Sequence, residues 1–266
     1  MTFQPVIPGA GIAGWRFLQR TYDSQFTAFN KSPQLDRDAE YFRDKIGEVQ
    51  SAEDLVKDRR LLGVALGAFG LNDDIDNRYF IQKILQDGTE SDDALANRLA
   101  DKRYQKFSDA FGFGPGGTVA TTDTAKMAEI ISQNRVQSFE ESVGAQDDTM
   151  RIALYAQREL AEMAETDMSE DAKWYSLMGL PPLRSMFETA LGLPSAFGQI
   201  DIDQQLDVFK EKSRRYTGRD TVSQFADQEA LEKITNLYLA RSQIANLNAT
   251  MSSGANALTL LQAAGY

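Results

Sequence analysis

The absence of cysteine and histidine is the feature of the sequence that most restricts its chemistry. Without these residues the chain has no thiol nucleophile, no imidazole base, no disulfide and none of the usual nitrogen or sulfur ligands for zinc. An enzyme made from the remaining side chains would depend on carboxylates, Lys, Tyr or Ser. A metal site would hold a hard cation through oxygen atoms alone. Only a few short motifs therefore need to be considered.

The first motif is glycine-rich. Gly9, Gly11 and Gly14 have the spacing of a dinucleotide-binding fingerprint, in which glycines let a pyrophosphate approach a helix N-terminus. A true fingerprint follows a buried strand, whereas here Val6 and Ile7 lie between two prolines, and no second strand ending in an acid follows. We therefore expect residues 1–14 to be an irregular lead-in without a strand, and we expect no cofactor. Nicotinamide or flavin co-purifying with the protein would revive the nucleotide-binding alternative.

Two aspartate-rich segments form the second motif. Residues 72–76 read Asn-Asp-Asp-Ile-Asp and residues 201–203 read Asp-Ile-Asp. Both faintly resemble calcium loops, but neither has the glycine at loop position six or the glutamate at position twelve that such a loop requires. We interpret both segments as helix N-caps, with Asp73 or Asp74 in the first, and predict no metal site.

The third motif surrounds Glu141. Glu141-Ser142 followed by Gly144-Ala145 is similar to the Glu-Ser and Gly-Ala pieces of lytic transglycosylases, all-α enzymes that protonate a glycosidic oxygen with one glutamate. Such a general acid needs an apolar pocket that raises its pKa. The neighbouring Asp147 and Asp148 indicate a solvated helix end instead. Glycan cleavage through Glu141 is therefore the alternative function, and we assign no catalytic residue.

A fourth pattern lies at the C-terminus, where residues 242–266 contain no charged side chain and are rich in amides. Apolar residues recur there every seven positions, with companions in between, which is the spacing of a helical seam. Such a seam binds a partner or a second copy, or packs against its own domain, and the Ser-Ser-Gly sequence at 252–254 weakens a continuous helix. The candidate partner-binding residues are Ile244, Leu247, Met251, Leu258 and Leu261.

The elements that would position these motifs are helices. Apolar residues recur at intervals of three and four along nearly the whole chain, and strand-like alternation is scarce, so the sequence predicts an all-α fold. Ser51 and Asp54 predict a capped helix start. Residues 61–71 predict a core helix that ends at Gly70. A helix beginning near Gln228 is expected to bury Leu231, Ile234 and Tyr238.

The two halves of the chain share short sequences in the same order, which predicts an internal duplication. In each half, an apolar stretch that contains Leu-Gly and ends in Phe-Gly (residues 61–70 and 186–198) is followed by Asp-Ile-Asp, a glycine turn and a closing helix. We predict two similar helical subdomains and a C-terminal helical segment. The predicted divisions are residues 1–14 as lead-in, 15–111 as first repeat, 112–126 as Gly/Thr-rich linker, 127–241 as second repeat and 242–266 as the uncharged C-terminal segment.

The charge balance restricts the partners. Thirty-nine acidic residues against 28 basic ones give a net charge of −11, which repels nucleic acid and anionic lipid surfaces. No stretch is apolar enough for membrane insertion, and the N-terminus lacks the pattern of a cleavable signal. We expect a cytoplasmic protein, or one exported without a cleavable signal.

Several short sequences carry a family resemblance. They are Phe26-Thr-Ala-Phe29, Asp38-Ala-Glu-Tyr41-Phe42-Arg43, Leu66-Gly-Ala-Phe69-Gly70-Leu71 and Leu99-Ala-Asp101. The chain resembles an uncharacterised alphaproteobacterial family, domain of unknown function 1217, whose members are commonly encoded among flagellar genes. The resemblance implies a flagellum-associated setting and no particular activity. We therefore expect a non-enzymatic helical interaction protein, structural or chaperone-like, with a protein partner such as a flagellar or export component and with self-association as a further possibility.

Overall fold

The structure is a computed structural model that describes the backbone of residues 3–264 and the side chains of residues 3–249. Within that range the regular structure is entirely helical and no strand is present, which confirms the predicted all-α fold. The α-helices are α1 Gly11–Asn30, α2 Pro33–Lys45, α3 Ala52–Lys57, α4 Arg59–Ala68, α5 Arg78–Asp87, α6 Leu95–Arg98, α7 Arg103–Phe111, α8 Thr124–Gly144, α9 Asp148–Glu165, α10 Glu170–Met178, α11 Pro181–Leu191, α12 Ile202–Thr217 and α13 Gln228–Ala264.

Several helices begin at a side chain that caps their first amides. The Ser51 hydroxyl accepts a hydrogen bond from the Asp54 amide (3.2 Å) and donates one to the Asp54 carboxylate (2.7 Å), which confirms the predicted start of α3. Asp123 and Asp147 each accept two amide hydrogen bonds at the starts of α8 and α9. These bonds satisfy amides that have no partner within the helix.

The aspartate-rich segments differ from each other. Asp201 caps α12 as predicted, because its carboxylate accepts from the amides of Asp203 and Gln204. The predicted cap at Asp73 or Asp74 is wrong: residues 72–74 form a 3-10 helix, and α5 begins only after Asn77. Asp74 is instead bound by side chains, since it accepts from the Asn77 amide group and from a tyrosine hydroxyl 30 positions later.

The chain divides into two compact units. Among the described residues, unit 1 comprises 3–6, 21–146 and 178–181, and unit 2 comprises 7–20, 147–177 and 182–264. The predicted duplication, with its subdomain boundaries, stays a prediction.

Unit 1 is organised around α4, which packs against α2, α3 and α8. Leu62 and Leu66 of α4 are completely buried, together with Phe42 of α2. Gly67 allows α8 to come close, because a Cβ atom there would lie 2.1 Å from the Asn134 side-chain oxygen. As predicted, the helix ends near Gly70, which has a φ of +65°.

The glycine-rich segment after α7 also belongs to unit 1. Gly112 ends α7 in the left-handed conformation, and its missing Cβ leaves room for the Thr118 carbonyl oxygen. Further along, the buried Thr121 hydroxyl donates to the Val49 carbonyl oxygen at 2.7 Å. These contacts hold the segment against the helices of its own unit.

Unit 2 has an aromatic core. Trp174 of α10 lies 5.7 Å from the Phe187 ring and 6.0 Å from the Phe209 ring, and its indole N–H donates to the Asp220 carbonyl oxygen at 2.8 Å. Beside it, the buried Lys173 ammonium donates to the Ala164 carbonyl oxygen and the Ser223 hydroxyl. The core therefore contains a buried cation with its donors directed at oxygen atoms.

Candidate partner-binding surface

The first part of α13 belongs to the interior of unit 2. Leu231, Ile234 and Tyr238 are 5%, 0% and 4% exposed, which confirms the burial predicted from their spacing. Thr235 and Leu239 are also completely buried. This part of the helix packs against α9, α12 and the 3-10 helix Ser223–Ala226. The stretch from Leu231 to Leu239, about two and a half turns of α13, is therefore anchored largely by apolar packing.

The anchored part ends at two long polar side chains that lie on glycines. The Arg241 guanidinium donates to the Tyr216 hydroxyl at 3.0 Å and covers the face of that ring, 5.0 Å from its centroid. A Cβ atom at Gly192 would lie 2.2 Å from an Arg241 nitrogen, and one at Gly11 would lie 2.2 Å from the Gln243 side-chain oxygen. The absence of side chains at Gly192 and Gly11 is what admits these contacts.

Arg241 also changes the chemistry of its neighbour. The hydrogen bond from Arg241 and its positive charge lower the pKa of Tyr216 below the ordinary tyrosine value. One guanidinium nitrogen, Nη1, is buried and has no hydrogen-bond partner in the described part of the chain. The hydrogen bond to Tyr216 therefore uses only some of the N–H donors of the guanidinium.

Beyond this point the two seam residues whose side chains the structure describes face solvent. Ile244 is 57% exposed and Leu247 is 56% exposed, although both are on the same continuous helix as the buried residues before them. The other predicted seam residues, Met251, Leu258 and Leu261, lie outside the described side chains. Where the structure describes it, the seam is an exposed apolar surface and is not used by its own unit.

The glycine-rich start has a packing explanation. Residues 3–8 are irregular and no strand precedes Gly9, as predicted, but α1 already begins at Gly11, before the expected end of the lead-in at Gly14. A Cβ atom at Gly14 would lie 2.4 Å from the Gly9 carbonyl oxygen and 3.2 Å from the Met150 methyl carbon. The spacing of these glycines therefore follows from close packing at the first turn of α1.

Glu141 has the surroundings of a surface residue. It is exposed near the end of α8, and the Asn72 side-chain amide donates to its carboxylate at 2.9 Å. An apolar enclosure, which a lone catalytic acid would need, is not formed around it. Over the described residues no group of three or more acidic side chains has an arrangement that could hold a metal ion, and no helix is long and apolar enough to cross a membrane.

A second exposed apolar group lies on unit 2 and was missed from the sequence. Tyr175, Ile200 and Ile202 are 36%, 40% and 45% exposed. The only sequence signal was that two isoleucines flank the N-cap Asp201, a position at the surface end of a helix. Helical periodicity assigns residues to a face of one helix, but it does not show which neighbouring elements cover that face.

Comparison with known proteins identifies the family. Residues 68–231, more than half of the chain, match the family model described as a protein of unknown function, DUF1217. The chain belongs to the DUF1217 family. An X-ray crystal structure of a protein from Agrobacterium tumefaciens is similar over 91% of this chain and 99% of that one, with a TM-score of 0.71 and 25% identity. No curated protein matches this DUF1217 chain.

Proposed function

We propose that this DUF1217 protein is a non-enzymatic helical interaction protein, structural or chaperone-like, that binds a protein partner through α13 beyond Arg241. The observation that supports this proposal is the exposure of Ile244 and Leu247 on a helix whose preceding turns are buried. Full burial of an Ile or Leu side chain stabilises a protein by about 1.5–3 kcal/mol, so more than half of that free energy stays available at each position.

The composition of the segment restricts how it binds. No charged residue occurs between Ser242 and Tyr266, so ion pairs from this segment do not select the partner. Apolar contact along the seam, with amide side chains beside it, would provide the affinity, as in helix-to-helix recognition. A partner that offers an apolar helical groove or stripe fits this chemistry, and a second copy of the chain would offer the same seam.

The setting is part of the proposal. We propose the bacterial flagellum or a related export apparatus, on the basis of the family resemblance in the sequence. A pull-down from flagellated cells, analysed for export-apparatus and axial proteins, tests this setting. Recovery of none of these proteins, with an unrelated partner captured through the same helix, would reject the setting and keep the binding role.

The binding role is tested by changing the exposed side chains. Ile244→Ser with Leu247→Ser should abolish partner capture, or self-association measured by sedimentation, and a variant with Ile244, Met251 and Leu258 all changed to Ser should do the same. The thermal melt of both variants should stay nearly unchanged; Ile244 and Leu247 are exposed, and exposed positions usually alter stability by no more than about 0.5 kcal/mol. Tyr79→Ser, at a tyrosine 82% exposed on α5, is the matched control and should bind normally.

One result would contradict the proposal. If the Ser variants lost most of their thermal stability while association persisted, the seam would be ordinary core. Leu231→Ser on the buried part of the same helix shows what such a loss looks like, since it removes a side chain that is 5% exposed.

A further inference from the structure

Unit 2 has an apolar surface separate from the seam. Tyr175 of α10 and the two isoleucines around the start of α12, Ile200 and Ile202, are each more than one third exposed. Single exposed apolar side chains are normal in folded proteins and need no explanation. Here the Tyr175 hydroxyl bonds Asp203, the residue after Ile202, so all three residues lie near the start of α12. We call these three residues the unit 2 apolar patch.

Two internal contacts fix the shape of the patch. The Tyr175 hydroxyl donates to the Asp203 carboxylate, which ties the ring to the first turn of α12. The Ile200 backbone is fixed by the buried Gln205 side chain, whose amide N–H donates to the Ile200 carbonyl oxygen at 2.6 Å. The Gln205 side-chain oxygen accepts in turn from Arg184. Side chains that are already positioned lose less conformational entropy on binding.

Carboxylates surround the patch. Asp201 and Asp203 are on either side of Ile202, Asp207 follows one helical turn after Asp203, and Asp171 precedes Tyr175 by one turn of α10. Lys210 forms an ion pair with Asp171. The nearby Arg184 is already paired with Glu188, so it does not cancel the remaining charge.

The tyrosine itself responds to these charges. The hydrogen bond to Asp203, partial burial of the ring and the negative charges of Asp203, Asp171 and Asp201 together raise the pKa of Tyr175 to about 12. The aspartates are therefore close enough to act on anything that contacts the ring. A cationic group brought to this surface would find a favourable potential.

We propose that the unit 2 apolar patch is a docking surface for a basic amphipathic segment of a partner protein. Apolar side chains of that segment would cover Ile200, Ile202 and the Tyr175 ring, and its Lys or Arg side chains would reach the surrounding aspartates. The net charge of −11 adds a long-range attraction for such a segment and repels acidic ones. This surface does not depend on the seam of α13.

The test uses the full chain and a labelled 18-residue amphipathic helix of Leu and Lys, with a Leu and Glu peptide of the same pattern. Fluorescence anisotropy should show binding of the Lys peptide that weakens as salt rises, and no binding of the Glu peptide. Ile200→Ser with Ile202→Ser leaves the net charge unchanged and should weaken binding about tenfold. Tyr79→Ser, which removes a more exposed apolar side chain from unit 1, should bind as the unchanged protein does.

A second variant separates the electrostatic contribution to binding from the apolar one. Asp171→Asn with Asp207→Asn retains the patch and the α12 cap, and should reduce both the affinity and its salt dependence. If circular dichroism shows that the double isoleucine variant has lost helicity, the single variant Ile202→Ser replaces it in the binding test. The proposal is overturned if the isoleucine variants bind as tightly as the unchanged protein, if the Glu peptide binds equally well, or if the Lys peptide does not bind.

Discussion

The sequence Asp-Ile-Asp occurs once in each unit, at 74–76 and at 201–203, and the two copies are used differently. Ile75 is packed against the core of unit 1, with its Cδ1 atom 3.4 Å from the position that a Cβ of Gly63 would occupy. Ile202 is 45% exposed at the start of α12. Ile75 therefore lies beside Gly63 of α4 at an ordinary packing distance. The same three residues thus contribute to an interior in one unit and to a surface in the other.

Each copy also binds a tyrosine. In unit 1 the Tyr104 hydroxyl donates to Asp74, and the Tyr104 ring meets the Phe80 ring edge-on at 5.3 Å. In unit 2 the Tyr175 hydroxyl donates to Asp203, and the ring remains exposed. Burial is the main cause that raises the pKa of Tyr104, whereas the hydrogen bond is the main cause for Tyr175. The unit 1 pair therefore stabilises packing, and the unit 2 pair positions an exposed ring.

The largest expected effect separates two neighbours on α10. Trp174→Ala removes a completely buried ring from the aromatic core of unit 2 and should lower the free energy of unfolding by about 3–5 kcal/mol. Tyr175→Ala should lower it far less, because that ring is exposed. Urea unfolding of both variants measures the difference. Equal losses would mean that the Tyr175 ring is part of the core.

A smaller effect compares the two isoleucines directly. Ile75→Ser should cost about 1–2 kcal/mol, since it removes apolar packing over Gly63 and places a hydroxyl there. Ile202→Ser should change stability by no more than about 0.5 kcal/mol. Thermal melts of the pair decide the matter: a cost at Ile202 as large as at Ile75 would contradict the difference in packing.

The smallest effect is a dependence on pH in the alkaline range. A folded-state pKa above the unfolded value means that the native protein retains its proton longer, so stability falls as pH rises through that interval. For Tyr175 the interval runs from about 10 to about 12, and for Tyr104 it begins at the same value. Urea unfolding at pH 9.5 and pH 11.5 should show a smaller decrease for Tyr104→Phe than for the unchanged protein. An identical decrease in that variant would show that Tyr104 does not contribute.

Local signals in the sequence predicted much of the fold. The all-α class, the Ser51 start of α3, the Asp201 start of α12 and the buried face of α13 follow from periodicity and capping, which act over a few residues. The actual role of Asp74 could not be predicted in the same way, because Tyr104, its hydrogen-bond partner, is 30 positions away.

The candidate surfaces were harder to predict, for the same physical reason. The spacing of Ile244 and Leu247 marked a seam, but only the surrounding helices determine whether a seam is covered. Exposure at Ile200 and Ile202 likewise depends on which elements pack nearby. Whether these apolar side chains are buried or exposed is therefore determined by tertiary packing, which helical periodicity does not show.

The continuity of α13 has a geometric consequence for any partner. The helix extends from the buried Leu231 to the exposed Leu247 without interruption, so the azimuth of the seam is fixed by the anchored turns. Each residue of an α-helix rotates the chain by about 100° and advances it by about 1.5 Å. One residue inserted after Gln243 would turn Ile244 and Leu247 through more than a quarter of a circle, while seven would return them nearly to their original bearing about 10 Å further along.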